Sequence, residues 1–175
     1  MIIMKVAIVF YSFSGNTKRA AMFLQERFTN RGVQCTMVDL RPEKEEKSFF
    51  KQSVQAFLKK EVLLEKRNKI VSEYDFIIFG SPVWAFTIAP ALRSFLDNIV
   101  GFKKQKVACF LTYGSGLGKD KALSELERQI KGKGGHLLFS RNLKGSETKF
   151  NSYLNDQFNS LLEMVDPTKK IRKTA

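Results

Sequence analysis

The sequence predicts a three-layer α/β domain, a five-stranded parallel sheet with helices on both faces. Three observations carry that prediction. Apolar runs at residues 6–10, 34–40, 75–80, 107–112 and 136–140 alternate with segments of helical period. The first, third and fourth of these runs are continuous rather than alternating, as in strands covered on both sides. The helical segments stop at glycine or proline signals, among them Gly32, Gly134-Gly135 and Pro167.

After the first strand, Thr17, Ala20, Ala21, Leu24 and Phe28 fall on one helical face. Asn30-Arg31-Gly32 closes that helix, with Gly32 in the left-handed position beyond its end. The second strand is more amphipathic than the first, which suits a sheet edge, and Pro42 ends it. Residues 43–73 are rich in Lys and Glu, with Phe50, Val54, Phe57 and Leu58, then Leu63 and Leu64, at helical spacing. They read as one long helix or two shorter ones with a solvated charged face.

The third strand, ending at Gly80, feeds a loop over 81–90 that carries the single Trp of the chain, Trp84. Pro90 suits the first turn of the next helix, which bears Leu92, Phe95, Leu96 and Ile99. The fourth strand leads into a glycine-rich stretch, and the helix beyond it aligns Leu123, Leu126, Glu127 and Ile130. A last helix follows the fifth strand and aligns Phe150, Leu154, Phe158, Leu161 and Val165. Residues 1–166 make one domain on this reading, and 167–175 a basic tail.

A chain of 175 residues has room for one substantial core. Its 43% hydrophobic and 27% charged content excludes wholesale disorder. Met1-Ile2-Ile3-Met4-Lys5 runs into the first strand without the features of a signal leader. No apolar run approaches the roughly 20 residues that span a bilayer, so a cytoplasmic location is expected and membrane insertion is not.

Cys35 and Cys109 each sit in an apolar run, as buried hydrophobes of a reducing compartment. On the second and fourth strands, at about 4.8 Å per strand, they are too far apart to bridge. With one histidine, His136, at the start of a strand, no metal site is expected. The net charge of +13 comes from lysines scattered over every helical segment, without the interleaved aromatics of an RNA-reading surface. It fits a solvated surface or an acidic partner, and nucleic acid is not an expected one.

Chemistry concentrates where strands end. Beyond the first lies Tyr11-Ser12-Phe13-Ser14-Gly15-Asn16-Thr17, a turn that aims backbone amides and a helix dipole at one point, as a phosphate site does. Hydroxyls of Ser12, Ser14 and Thr17 add donors, the plainer alternative being that Ser14 simply caps the helix. Pro82, Val83, Trp84, Ala85 and Phe86 follow the third strand and offer flat apolar surface. Tyr113, Gly114, Ser115 and Gly116 follow the fourth, where glycine lets the backbone approach a ligand. In a strand order of 2-1-3-4-5 these three strands are neighbours, so the loops share one crevice at their carboxyl ends. An anion cradle facing flat aromatic surfaces suits a phosphorylated heteroaromatic, and FMN has that shape.

The sequence resembles the flavodoxin family. The resemblance rests on Tyr11-Ser12-Phe13-Ser14-Gly15-Asn16-Thr17, on Gly80-Ser81-Pro82-Val83-Trp84 continuing to Leu92-Arg93-Ser94-Phe95-Leu96-Asp97, and on Thr112-Tyr113-Gly114-Ser115-Gly116. It implies a flavodoxin-like sandwich of order 2-1-3-4-5 and electron transfer through bound FMN. It also implies that Ser12, Ser14, Gly15, Asn16 and Thr17, with Phe13 among them, surround the FMN phosphate. Residues 82–86 and 113–116 would flank the isoalloxazine ring. No catalytic acid, base or nucleophile is required, since the redox chemistry belongs to the flavin.

Two features depart from the electron carriers of that family, which are typically acidic: the basic surface and the long charged segment 43–73. They leave room for a flavin enzyme that reduces a small molecule such as a quinone from NAD(P)H, beside a carrier serving a redox partner protein. Two other readings fail on residues. A phospho-receiver needs acids where Ser12 and Gly80-Ser81 stand. The stretch Gly114-Ser115-Gly116-Leu117-Gly118-Lys119-Asp120 is one residue short of a nucleotide loop, and Asp120 replaces its hydroxyl residue.

Overall fold

Successive residues of a strand point to opposite faces, and the central strands sort their side chains accordingly. In β1 (Lys5–Phe10), Val6, Ile8 and Phe10 enter one core while Ala7 and Val9 enter the other, all fully buried. The split recurs in β3 (Phe76–Trp84) and β5 (Lys106–Tyr113). Phe76, Ile78, Ala108 and Phe110 join the first core; Ile77, Phe79, Val107, Cys109 and Leu111 join the second.

Helices α1 (Asn16–Thr29) and α4 (Asn151–Met164) cover the first core, bringing Ala20, Leu24, Phe28, Leu154 and Phe158. Helices α2 (Pro90–Asn98) and α3 (Lys119–Gly132) cover the second with Leu92, Phe95, Leu126 and Ile130. This computed structural model describes residues 4–40, 69–103 and 105–165. Among them no helix is long and apolar enough to cross a membrane.

The parallel sheet runs β2-β1-β3-β5-β6, with β2 (Gln34–Asp39) and β6 (His136–Lys144) at its edges. That is the expected 2-1-3-4-5 order, and the amphipathic second strand is an edge. One strand is additional: β4 (Thr87–Ile88) pairs antiparallel with β3 through Val83↔Ile88 and Trp84↔Thr87. The third strand therefore continues past Gly80 to Trp84, and the expected loop over 81–90 is a strand extension and a tight hairpin. The fifth strand likewise runs to Lys144 rather than Ser140. Pairing explains both: Ser81 and Pro82 lie opposite Leu111 and Thr112, and Arg141 to Lys144 lie opposite Phe110 to Tyr113. A ladder outlasts the apolar run that identifies it.

Gly32 and Gly134 adopt the expected left-handed conformation past helix ends. Phe150 does not join the buried face of the last helix. It stands just before α4 in extended backbone, 48% exposed, while Leu162 enters the core. The helices expected within 43–73, Pro42, Pro167 and the tail lie outside the described residues, except that 69–73 are helical.

Cys35 and Cys109 are free thiols on strands separated by β1 and β3. Burial pushes the Cys35 thiol up to about 12. Burial also raises that of Cys109, with Glu127 adding to the effect and Lys131 opposing it. No group of His, Cys, Asp and Glu among the described residues could hold a metal ion.

Candidate functional site at the carboxyl ends of three strands

The helices that follow β1 and β5 each begin on a left-handed glycine, Gly15 (φ 87°) for α1 and Gly118 (φ 73°) for α3. Neither has a side-chain cap. At α1 the consequence is a row of open donors: among the described residues the amides of Phe13, Ser14, Gly15, Asn16 and Thr17 make no hydrogen bond. Consecutive amides around a left-handed glycine form a concave anion seat, which the helix dipole reinforces.

The hydroxyls divide. Ser12 is buried and its Oγ accepts from the Lys18 amide at 3.2 Å, so Ser12, not Ser14, satisfies the first turn of the helix. Ser14 is exposed at the rim. Thr17 is buried with its Oγ1 2.8 Å from Thr112 Oγ1, a bond that ties the first loop to β5.

The hairpin after β3 is built on Pro82, Val83 and Trp84 in the strand and Ala85 and Phe86 at its tip. Both tip residues have positive φ, 45° and 67°, as a two-residue hairpin turn of the twist-matched kind demands. Its base is pinned by Ser81, whose Oγ accepts from the Ala89 amide at 2.9 Å and donates to the Pro82 carbonyl. Its outer side is pinned by Glu125, which accepts from Thr87 Oγ1 at 2.5 Å and pairs with Arg93 at 2.7 Å.

The loops meet as the strand order requires. Phe13 stands edge-on to Trp84 with ring centroids 5.5 Å apart. Phe86 turns instead toward the third loop, where its ring leaves no room for a Cβ on Gly118. In that loop Gly116 packs on the Tyr113 ring, Lys119 Nζ stands 5.3 Å from the ring centre, and Ser115 Oγ accepts from the Leu117 amide at 3.4 Å. Gly114 and Ser115 are exposed. Phe13, Phe86 and Leu117, one from each loop, are large apolar side chains left 74%, 55% and 71% exposed.

Several members escaped the sequence reading. Thr112 is the penultimate residue of β5, within the run Thr112-Tyr113-Gly114-Ser115-Gly116, and its bond to Thr17 follows only from the packing. Arg19 donates to Asn16 Oδ1 and reaches Thr148 from the 3-10 turn Gly145–Lys149. That turn follows the unforeseen end of β6, and a Cβ on Gly145 would fall 2.6 Å from the side-chain Nδ2 of Asn16. The only local signal was a basic pair, Lys18-Arg19, opening a helix. A cleft of about 810 Å³ lies at the other end of the sheet, lined by Lys69, Phe102, Lys103 and Lys133 among others, away from these loops.

A family model described as NADPH-dependent FMN reductase matches residues 4–138. No curated protein matches the sequence significantly. Among solved structures, a flavodoxin from the domain Archaea is 18% identical, with a TM-score of 0.62 over 93% of this chain and 99% of that one. An NADH:FMN oxidoreductase in its apo form is 16% identical, with a TM-score of 0.72 over 93% of this chain and 88% of the other. NAD(P)H:quinone oxidoreductase from Methanothermobacter marburgensis is 13% identical, with a TM-score of 0.66 over 97% and 98%. The chain spans 36% of the rubredoxin oxygen:oxidoreductase of Desulfovibrio gigas, which it also matches. At these identities the structural likeness shows the fold, which is flavodoxin-like.

Proposed function

Because the chain belongs to the NADPH-dependent FMN reductase family, we propose that it takes reducing equivalents from NADPH through FMN seated at the carboxyl ends of β1, β3 and β5. The observation that carries this reading is the open row of amides from Phe13 to Thr17, whose first member, Phe13, packs edge-on against Trp84 of the next loop. The residues present fit the cofactor: orphaned donors for a phosphate at one end, exposed apolar rings at the other.

The amides of residues 13–17 hold the phosphate, with hydroxyls from Ser12, Ser14 and Thr17 around it. Either hydroxyl of the Thr17–Thr112 pair can donate to the other; when Thr112 donates, the Thr17 proton is left for the anion. Pro82, Val83, Trp84, Ala85 and Phe86 flank the isoalloxazine ring on one side, and Tyr113, Gly114, Ser115 and Gly116 on the other. Bound FMN supplies the redox chemistry, accepting hydride and passing electrons on. The protein holds it, excludes water from its ring with the exposed apolar side chains of the loops, and leaves an opening for a flat acceptor such as a quinone.

On this reading residues 1–166 form a single FMN domain followed by the basic tail 167–175. It works in the cytoplasm, where its two thiols stay free. The near-complete overlap with an archaeal flavodoxin favours a second reading, an electron carrier docking with a partner protein. The basic surface suits an acidic partner.

Titrating the purified protein with FMN, then adding NADPH without air, tests both. Quenched flavin fluorescence followed by rapid bleaching supports the reductase. Bleaching that waits for a separate reductase supports the carrier. No binding at micromolar FMN rejects the site.

A further inference from the structure

The first turn of α1 is charged against its own dipole. A helix N-terminus carries partial positive charge and favours acidic side chains, yet this turn reads Asn16-Thr17-Lys18-Arg19 and contains no acid. Among the described residues Arg19 makes no ion pair with a carboxylate. Neutral oxygens hold it instead. Its Nη2 donates to Asn16 Oδ1, and its Nε lies 3.5 Å from Thr148 Oγ1. Thr148 is buried and donates in turn to the Gly145 carbonyl at 2.8 Å. Asn16 is wedged against Gly145. The remaining nitrogen, Nη1, lies 3.3 Å from where a Cβ on Gly15 would stand, at the edge of the open amides.

Arg19 is exposed, so water solvates its charge, but its hydrogen bonds to Asn16 and Thr148 hold that full charge beside the open amides, where an anion would meet it. Resting on the FMN reading above, the geometry points to Arg19 as the residue that neutralises the cofactor phosphate, with Asn16 and Thr148 setting its position. Amides and hydroxyls alone offer partial charges; the guanidinium adds a full one and a charge-assisted hydrogen bond. Arg19 therefore makes the site select a phosphorylated flavin over riboflavin, which carries the same ring without the anion.

The test measures dissociation constants for FMN and riboflavin by fluorescence quenching, at low and moderate salt, for the wild type, Arg19→Gln, Arg19→Lys and Thr148→Val. Arg19→Gln weakens FMN about tenfold and flattens its salt dependence, while riboflavin binding changes less than about twofold. Arg19→Lys restores part of the loss. Thr148→Val weakens FMN by a smaller factor and leaves riboflavin alone. Without flavin, Arg19→Gln melts no lower than the wild type, because it removes a like charge from the dipole. Equal loss of both flavins, or loss of neither, overturns the role of Arg19 while leaving the FMN site standing. A wild type that binds neither flavin overturns the FMN reading itself.

Discussion

Phe13 meets Trp84 edge to face, 5.5 Å between ring centroids and 77° between planes, and so joins the turn after β1 to the hairpin after β3. The contact is made at the surface, since Phe13 is 74% exposed. Edge-to-face pairs of this kind contribute about 0.5–1.5 kcal/mol beyond the area they bury. On the proposed function Phe13 serves binding more than folding, because it belongs to the open amide row and is exposed.

Replacing Phe13 by Ala therefore weakens FMN by about three- to tenfold. The unfolding free energy changes by less than about 0.5 kcal/mol, as for other exposed sites. Flavin titration and thermal melting of the same variant separate the two. Trp84 is the single tryptophan of the chain, so if the ring binds where proposed its emission falls as FMN is added.

Gly80 lies opposite Phe10 on one side and Phe110 on the other. A Cβ there would stand 2.6 Å from Phe110 Cζ and 3.2 Å from Phe10 Cβ. Gly80→Ala overpacks the core beneath the site and destabilises the fold by about 1–3 kcal/mol. Denaturant unfolding measures it, and the midpoint falls without a change of slope.

The tip of the β3–β4 hairpin places Ala85 and Phe86 at positive φ without glycine. Such a conformation costs about 1 kcal/mol or more for a residue with a Cβ. Ala85→Gly relieves it and raises the melting temperature. Phe86→Gly relieves the same strain but removes the ring packed against Gly118, so it gains less. Melting the two variants side by side reads the difference.

Cys109 has a fully buried thiol whose pKa burial raises above its ordinary 9.0. Below that value the folded and unfolded states both keep the proton, and the thiol has no effect on stability. Above it the unfolded chain releases the proton while the folded chain retains it. Stability then falls with rising pH, by about 1.4 kcal/mol per pH unit for one such thiol. Cys109→Ala leaves a cavity and is less stable at neutral pH, yet its stability declines less steeply above about pH 9. Urea unfolding across that range gives both slopes.

Much of this molecule was legible locally. The unbroken apolar runs at residues 6–10 and 107–112 marked strands covered on both faces, and Gly32 marked a helix end, because burial and turn chemistry act within a few residues. The hairpin at residues 83–88 was not legible as one. Its turn is Ala85-Phe86, without the Asn or Gly that announces such turns, and only pairing with neighbouring strands extends β3 to reach it. Phe150 had the spacing of a core residue and ended at a helix boundary, where the backbone turns its ring outward.

By itself the sequence determined the alternation of strands and helices, the two-sided core and the three chemically unusual strand ends. Those properties follow from periodicity and from the conformational limits of Gly and Pro, which are local. The tertiary structure decided how the site is divided among its residues. It engaged Ser12 with the Lys18 amide and Thr17 with Thr112, left the amides of residues 13–17 open, and turned Phe86 toward Gly118. It also brought Thr148 to Arg19 across 129 positions of chain. Sheet register and helix packing set such contacts between distant segments, and no short stretch of sequence carries that information.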